Sequence, residues 1–140
     1  MWDAQRKESP CWEFYAIQRE TNCIDEIADL LQTNDSRHAL KLLKTIDETC
    51  FHLLGPKLYE KNPNICHEAV AGEGIFELRK GNIRLYWFYG NGRRVVICSM
   101  VIVKRVQKTP AAVAKKLIVL KENYFKAVRE NTLIYRKQEN

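Results

Sequence analysis

Apolar positions change their period three times along the chain, and each change marks a new set of elements. Residues 11–17, C-W-E-F-Y-A-I, are dominated by aromatic and β-branched types and predict a first strand. From residue 23 the spacing becomes helical. Ile24, Ile27, Ala28 and Leu31 share one face and Asp25, Glu26 and Asp29 the other, which predicts a helix over residues 23–32 with Asn22 as its N-cap. Asn34-Asp35-Ser36 interrupts it and caps a second helix over residues 37–54. Ala39, Leu42, Leu43, Ile46, Cys50, Leu53 and Leu54 form the stripe of that helix, and Gly55-Pro56 ends it. The two helices make a hairpin that has to cover an apolar surface.

Residues 57–72 hold Pro63, two asparagines and little periodicity, so they read as a loop with a short turn around 65–70. Cys66, His67 and Glu68 fall in this loop. With no second group of ligand-type residues elsewhere, a loop or partial-core role fits them better than metal binding or nucleophilic catalysis.

The period returns to two between residues 74 and 103. Lys80-Gly81-Asn82-Ile83 is a two-residue hairpin signal. With Gly81 and Asn82 as the turn, Arg79 lies opposite Arg84, Glu77 opposite Tyr86 and Ile75 opposite Phe88, all on one face. Phe76, Leu78, Leu85 and Trp87 line the other face, against which the helical hairpin should pack. Two arginines directly opposite one another repel, so a sheet that keeps them either splays both into water or uses them on an anion, and the tyrosine and carboxylate beside them favour the anion. Gly90-Asn91-Gly92 makes a second turn. Residues 93–103 then form a long strand, apolar on both faces and therefore covered on both. It ends in the basic run 104–108. Thr109 is placed as N-cap and Pro110 as first residue of a last helix over residues 110–130, with Val113, Leu117, Leu120, Tyr124 and Val128 inside. The prediction is an α+β fold in which a small antiparallel sheet carries an N-terminal helical hairpin and a C-terminal helix. Residues 1–10 and 131–140 read as loosely held extensions of this single domain.

Composition adds a polarity to the chain. Residues from 74 onward carry 15 Lys/Arg against 4 Asp/Glu, a net +11, whereas residues 1–73 carry 8 against 13, a net −5. A basic half on an acidic scaffold fits an anionic partner such as nucleic acid as well as it fits a solvated helix surface. The 5 Cys are odd in number, widely spaced and lack a CxxC pair, which points to reduced core thiols rather than zinc or a disulfide framework. The N-terminal residues lack a signal-peptide core, and no apolar stretch spans a bilayer, so a cytoplasmic protein with no membrane partner is expected.

Several local strings, in this element order, resemble the RelE/ParE toxin superfamily and in particular its HigB-like, phage-derived branch. They are W-E-F-Y at positions 12–15, E-L-R at 77–79, I-R-L-Y at 83–86 and V-K-R-V-Q-K-T-P at 103–110, and the resemblance spans roughly residues 10–126. It implies a RelE-like fold and a toxin of a type II toxin–antitoxin pair that cleaves mRNA on translating ribosomes. It also implies a cognate antitoxin with a helix-turn-helix domain. Position by position, Arg84 matches the family's strand arginine at the scissile phosphate. Lys104 and Arg105 match its basic pair, and Lys108 a basic position before the final helix. The chain departs from the family at Ile102, where an aromatic is common, and at Met100, where HigB-like members often carry histidine. Glu77 and Ile75 replace lysines of RelE, and no tyrosine stands near Pro110.

For the implied reaction, attack by the 2′-OH, Arg84 would stabilise the phosphorane with Arg105 or Arg79 assisting. Lys104, Lys108 and Glu77 remain open as proton-transfer groups. Arg79, Tyr86, Arg93 and Lys115 are the expected RNA contacts, with Tyr86 able to stack on a base. No metal or cofactor is expected. Two other readings stay open: a ParE-like gyrase poison, and an inactive relative that binds RNA or antitoxin.

Overall fold

A computed structural model describes residues 9–104 and 109–136. The chain runs β1 (Glu13–Ala16), α1 (Cys23–Asp29) with a 3-10 turn at Leu30–Gln32, α2 (Ser36–Cys50) and a second 3-10 turn at Gly55–Leu58. It continues with β2 (Cys66–Val70), β3 (Ile75–Lys80), β4 (Ile83–Tyr89), β5 (Val95–Val103) and α3 (Ala111–Arg129). The five strands form one sheet in the order β1-β5-β4-β3-β2. The fold is therefore α+β with a mixed sheet.

The expected β3–β4 register is found: Glu77 pairs with Tyr86, Arg79 with Arg84 and Lys80 with Ile83. Gly81 sits at φ 56 in the intervening turn, a backbone conformation other residues rarely adopt. A Cβ there would also run into the His38 ring from α2. The Asn22 side chain caps α1 by accepting from the Asp25 N–H at 2.9 Å.

The sheet departs from the all-antiparallel expectation at β1, which runs parallel to β5 with Glu13 against Val95 and Ala16 against Cys98. Alternation marks residues 13–16 as a strand but carries no information about neighbour or direction. The expected loop at 57–72 contains β2, antiparallel to β3 with Cys66 on Leu78 and His67 on Glu77. A register shift between Glu68 and Val70 breaks the period of two over this short strand, which hides it in the sequence.

The second helix stops at Cys50 rather than Leu54. The Cys11 and Trp12 N–H groups both donate to the Cys50 carbonyl, at 2.7 and 2.9 Å, and Trp12 Nε1 donates to the Leu53 carbonyl at 3.1 Å. The chain entering β1 thus caps the helix, and the Trp12 indole occupies the space where a side chain on Gly55 would lie. Leu53 and Leu54, expected in the apolar stripe, are exposed. Pro110, with ψ at 143, is the N-cap of α3 in place of Thr109, and the helix begins at Ala111. The last strand starts at Val95 because Arg94 takes a φ of 60 in the preceding turn. The tail is partly anchored: the Tyr135 ring lies 4.3 Å from that of Tyr15, and its hydroxyl is 2.7 Å from the Tyr124 hydroxyl.

Both faces of the sheet are covered. On one, Ile27, Ala39, Leu42 and Ile46 of α1 and α2 pack against Leu78, Leu85, Trp87, Val96 and Cys98. On the other, Leu117 of α3 meets Ile75, Tyr86 and Met100, and Tyr124 meets Phe88, Val95 and Ile97. One feature of β5 serves both layers: where Tyr86 pairs with Met100 and Trp87 with Cys98, Ser99 is extra, and the faces of the strand exchange across it. The five cysteines are free and four are buried, as expected for core filler. Burial pushes the Cys66 thiol up to about 12, far from a reactive thiolate.

Replacing the fully buried Leu42 by Ala should cost about 2–5 kcal/mol, whereas Leu54→Ala should leave stability within about 0.5 kcal/mol. Urea titration of the two variants measures both, and a large loss at Leu54 would contradict the early end of α2.

Candidate active site

Among the described residues, the face of the sheet under α3 carries one buried carboxylate, Glu77, whose side chain is completely buried. Strand alternation and register bring four basic side chains to it. His67 is its direct partner across β2–β3, and His67 Nε2 lies 2.9 Å from Glu77 Oε2. Arg79, two residues along β3, places Nη2 3.4 Å from the same oxygen. Arg84 of β4 places Nε 3.8 Å from Glu77 Oε1, and Lys104, just past β5, places Nζ 3.3 Å from it. The Lys104 position is set by the turn opposite, because its backbone N–H donates to the Asn82 carbonyl at 2.8 Å.

Three Arg and Lys side chains therefore surround one carboxylate in a largely desolvated place. Burial alone would disfavour every charge present, and only mutual pairing makes the arrangement tenable. Burial lowers the Arg84 pKa; Glu77 opposes the shift and Arg79 adds to it. Arg84 Nη1 is committed to the backbone, donating to the Gly81 carbonyl at 2.5 Å and to that of Ile83 at 3.2 Å. Even so, Glu77 Oε1, Arg79 Nε and Arg84 Nε are buried with no hydrogen-bond partner among the described residues. Such atoms are rare in folded proteins and here they converge on one spot. Burial also pushes the Tyr86 phenol up to about 12, with Thr109 pulling it back and Glu77 adding to the rise.

Access is graded across the cluster. The side chains of His67 and Arg79 are 33 % and 20 % exposed, while Arg84 and Lys104 are at 4 % and 7 %. An incoming group meets His67 and Arg79 first. The predicted residues Glu77, Arg79, Arg84 and Lys104 are thus brought together, but with Arg84 and Lys104 behind rather than in front. Tyr86 is fully buried against Ile75, Met100 and Leu117, so its ring is not offered to a base. Arg93 lies in the β4–β5 turn, at the opposite end of the sheet from the Gly81 turn, and takes no part in the cluster. Lys115 is exposed on α3, two positions from the inward Leu117. Arg105 and Lys108 lie outside the described residues.

His67 is the residue that sequence reasoning missed. The signal for it is Cys66-His67 read as strand: Cys66 is buried, so His67 must face the other way, and a strand beside β3 sets it against Glu77 or a neighbour. Arg79 Nη2 is also 3.5 Å from His67 Nδ1. The tautomer with the proton on Nε2 satisfies both contacts, donating to Glu77 and accepting from Arg79. Among the described residues no group of three or more His, Cys, Asp or Glu is arranged to hold a metal ion, and no helix is long and apolar enough to cross a membrane.

Removing the central charge should unfold the cluster. Glu77→Gln leaves three cations buried around a neutral amide and should cost about 3–5 kcal/mol in denaturant unfolding; an unchanged midpoint would show that the carboxylate is not what holds them. Tyr86 gives a second handle. Its folded pKa lies above the ordinary 10.0, so its contribution to stability is complete below pH 10 and is lost as pH rises toward 12. Tyr86→Phe should flatten the alkaline fall in stability by up to about 1.4 kcal/mol per pH unit between those values, read from unfolding curves at stepped pH.

Comparison of the chain with protein families and with characterised proteins finds no match.

Proposed function

We propose that the chain is the toxin of a type II toxin–antitoxin pair, an endoribonuclease that cleaves mRNA on translating ribosomes. The observation that carries this reading is the gathering of cations at Glu77: Arg79, Arg84 and Lys104 around one buried carboxylate, with Arg79 Nε and Arg84 Nε lacking a hydrogen-bond partner among the described residues. A phosphodiester supplies the missing negative charge and acceptor oxygens in one group. The net +11 of residues 74–140 draws the RNA backbone toward this half of the chain. The strings E-L-R at 77–79 and I-R-L-Y at 83–86, which resemble those of RelE- and HigB-like toxins, lie in β3 and β4.

In this reading Arg79, the most exposed of the three cations, binds the scissile phosphate. Arg84 and Lys104 add positive potential from behind, in a low-dielectric setting where it acts strongly on the charge that develops in the phosphorane. The 2′-oxygen attacks phosphorus, the bond to the 5′-oxygen breaks, and a 2′,3′-cyclic phosphate results. A second reading, a relative that binds RNA or antitoxin without cleaving, draws on the burial of Glu77, Arg84 and Tyr86, which leaves little reactive surface.

Induction of the gene followed by mapping of mRNA 5′ ends separates these. Cuts positioned by codon support cleavage on the ribosome. Intact mRNA supports the binding-only relative, and intact mRNA with gyrase-dependent DNA breaks supports a ParE-like poison. Arg79→Ala should lower the cleavage rate by about 10²–10³ and relieve growth arrest while the protein stays folded. Full toxicity in that variant would remove Arg79 from the phosphate site.

A further inference from the structure

We propose that His67 is the general base of the cleavage reaction and that Glu77, rather than acting as a base itself, is the positioning residue that holds the imidazole. This inference rests on the endoribonuclease reading above. Three observations carry it.

The first is access. A base must come within hydrogen-bond reach of the 2′-OH. Glu77 is fully buried and Lys104 nearly so, whereas the His67 side chain is one-third exposed at the mouth of the cluster. The chain has three histidines. His38 packs on the Gly81 turn from α2, on the far face of the sheet, and His52 lies in the turn after α2, where its Nδ1 accepts from the Leu54 N–H. Only His67 shares a face with Arg79 and Glu77.

The second is the tautomer. The 2.9 Å contact from Nε2 to Glu77 Oε2 fixes the proton on Nε2 and leaves the Nδ1 lone pair as the basic site. A carboxylate in this place orients the ring and stabilises the imidazolium that forms, the same division of labour as in a catalytic histidine–carboxylate pair. Glu77 is itself immobilised by Arg79, Arg84 and Lys104, so the ring is held by a rigid partner.

The third is the neighbour of Nδ1. Arg79 Nη2 stands 3.5 Å from it, a contact long enough to exchange for a substrate hydroxyl. When Arg79 turns to the phosphate, Nδ1 is freed beside the bound group, and base and anion-binding residue sit next to each other as in-line attack requires. The proton then passes from the 2′-OH to Nδ1 as the 2′-oxygen–phosphorus bond forms. The 5′-oxygen leaves and takes a proton from water.

The test uses the full chain, ribosomes and a 5′-labelled mRNA, with the wild type, His67→Ala and His67→Gln compared with and without added imidazole. His67→Gln keeps an amide N–H for Glu77 but no base. Both variants should cleave about 10²–10⁴-fold more slowly than wild type while still binding the ribosome-programmed mRNA. Imidazole should restore part of the rate to His67→Ala, where it has room to enter, and none to His67→Gln. A histidine that only completes the ion-pair network would give no rescue, so absence of rescue overturns the assignment, as does a His67→Gln variant as active as wild type. Wild-type protein that leaves the mRNA intact overturns the endoribonuclease reading and this inference with it.

Discussion

The carboxylate of Glu77 is the point at which the strands β2, β3, β4 and the exit of β5 become electrostatically dependent on one another. Alone, β3, β4 and the exit of β5 would each place a cation in a desolvated layer, and β2 adds an imidazole beside them. Register converts four separate penalties into one shared network, because His67, Arg84 and Lys104 arrive from three different strands at the side chain of the strand between them. A slip of one residue in β3 would turn Glu77 toward Leu42 and Ile46, away from Arg84 and Lys104. The cluster specifies the sheet as much as the sheet builds the cluster.

Covering this face with α3 has a cost in function that the gradient of access resolves. Leu117 and Tyr124 seal the Tyr86–Phe88 end, and the opening is left at the β2 edge, where His67 and Arg79 stand. A strand expected as a loop, and a histidine set aside with it, thus become the outward part of the arrangement. Edge strands of a sheet are where a side chain can contact both the interior network and a ligand.

Much of this was legible in the chain. The Gly81-Asn82 signal fixes the β3–β4 register, and with it the pairing of Arg79 with Arg84 and of Glu77 with Tyr86, because a two-residue turn admits one alignment. The double-sided apolar run of β5 announces a layer on each side. Four things were not legible, each for a physical reason. The direction of β1 depends on a distant partner that alternation does not encode. The bulge at Glu68–Val70 erases the period of β2. The end of α2 is set by Trp12 and Cys11, which lie far away in sequence, so the local stripe runs on to Leu54 without the helix. The burial of Tyr86 and Arg84 follows from where α3 docks, and its inner stripe of Val113, Leu117 and Tyr124 does not say which face of the sheet it will meet.

The parallel pairing of β1 with β5 also divides the sheet by the length of chain each contact must close. β2 through β5 form a continuous meander whose turns are short, so their contacts are local and cheap in loop entropy. β1 can join only by bringing Glu13 beside Val95, across both helices and the whole meander. That strand is four residues long, yet its approach also supplies the N–H groups that cap α2 and the indole that packs on Gly55. A segment that is entropically expensive to place is thus one that fastens helix layer to sheet, and this long-range closure is also a lock.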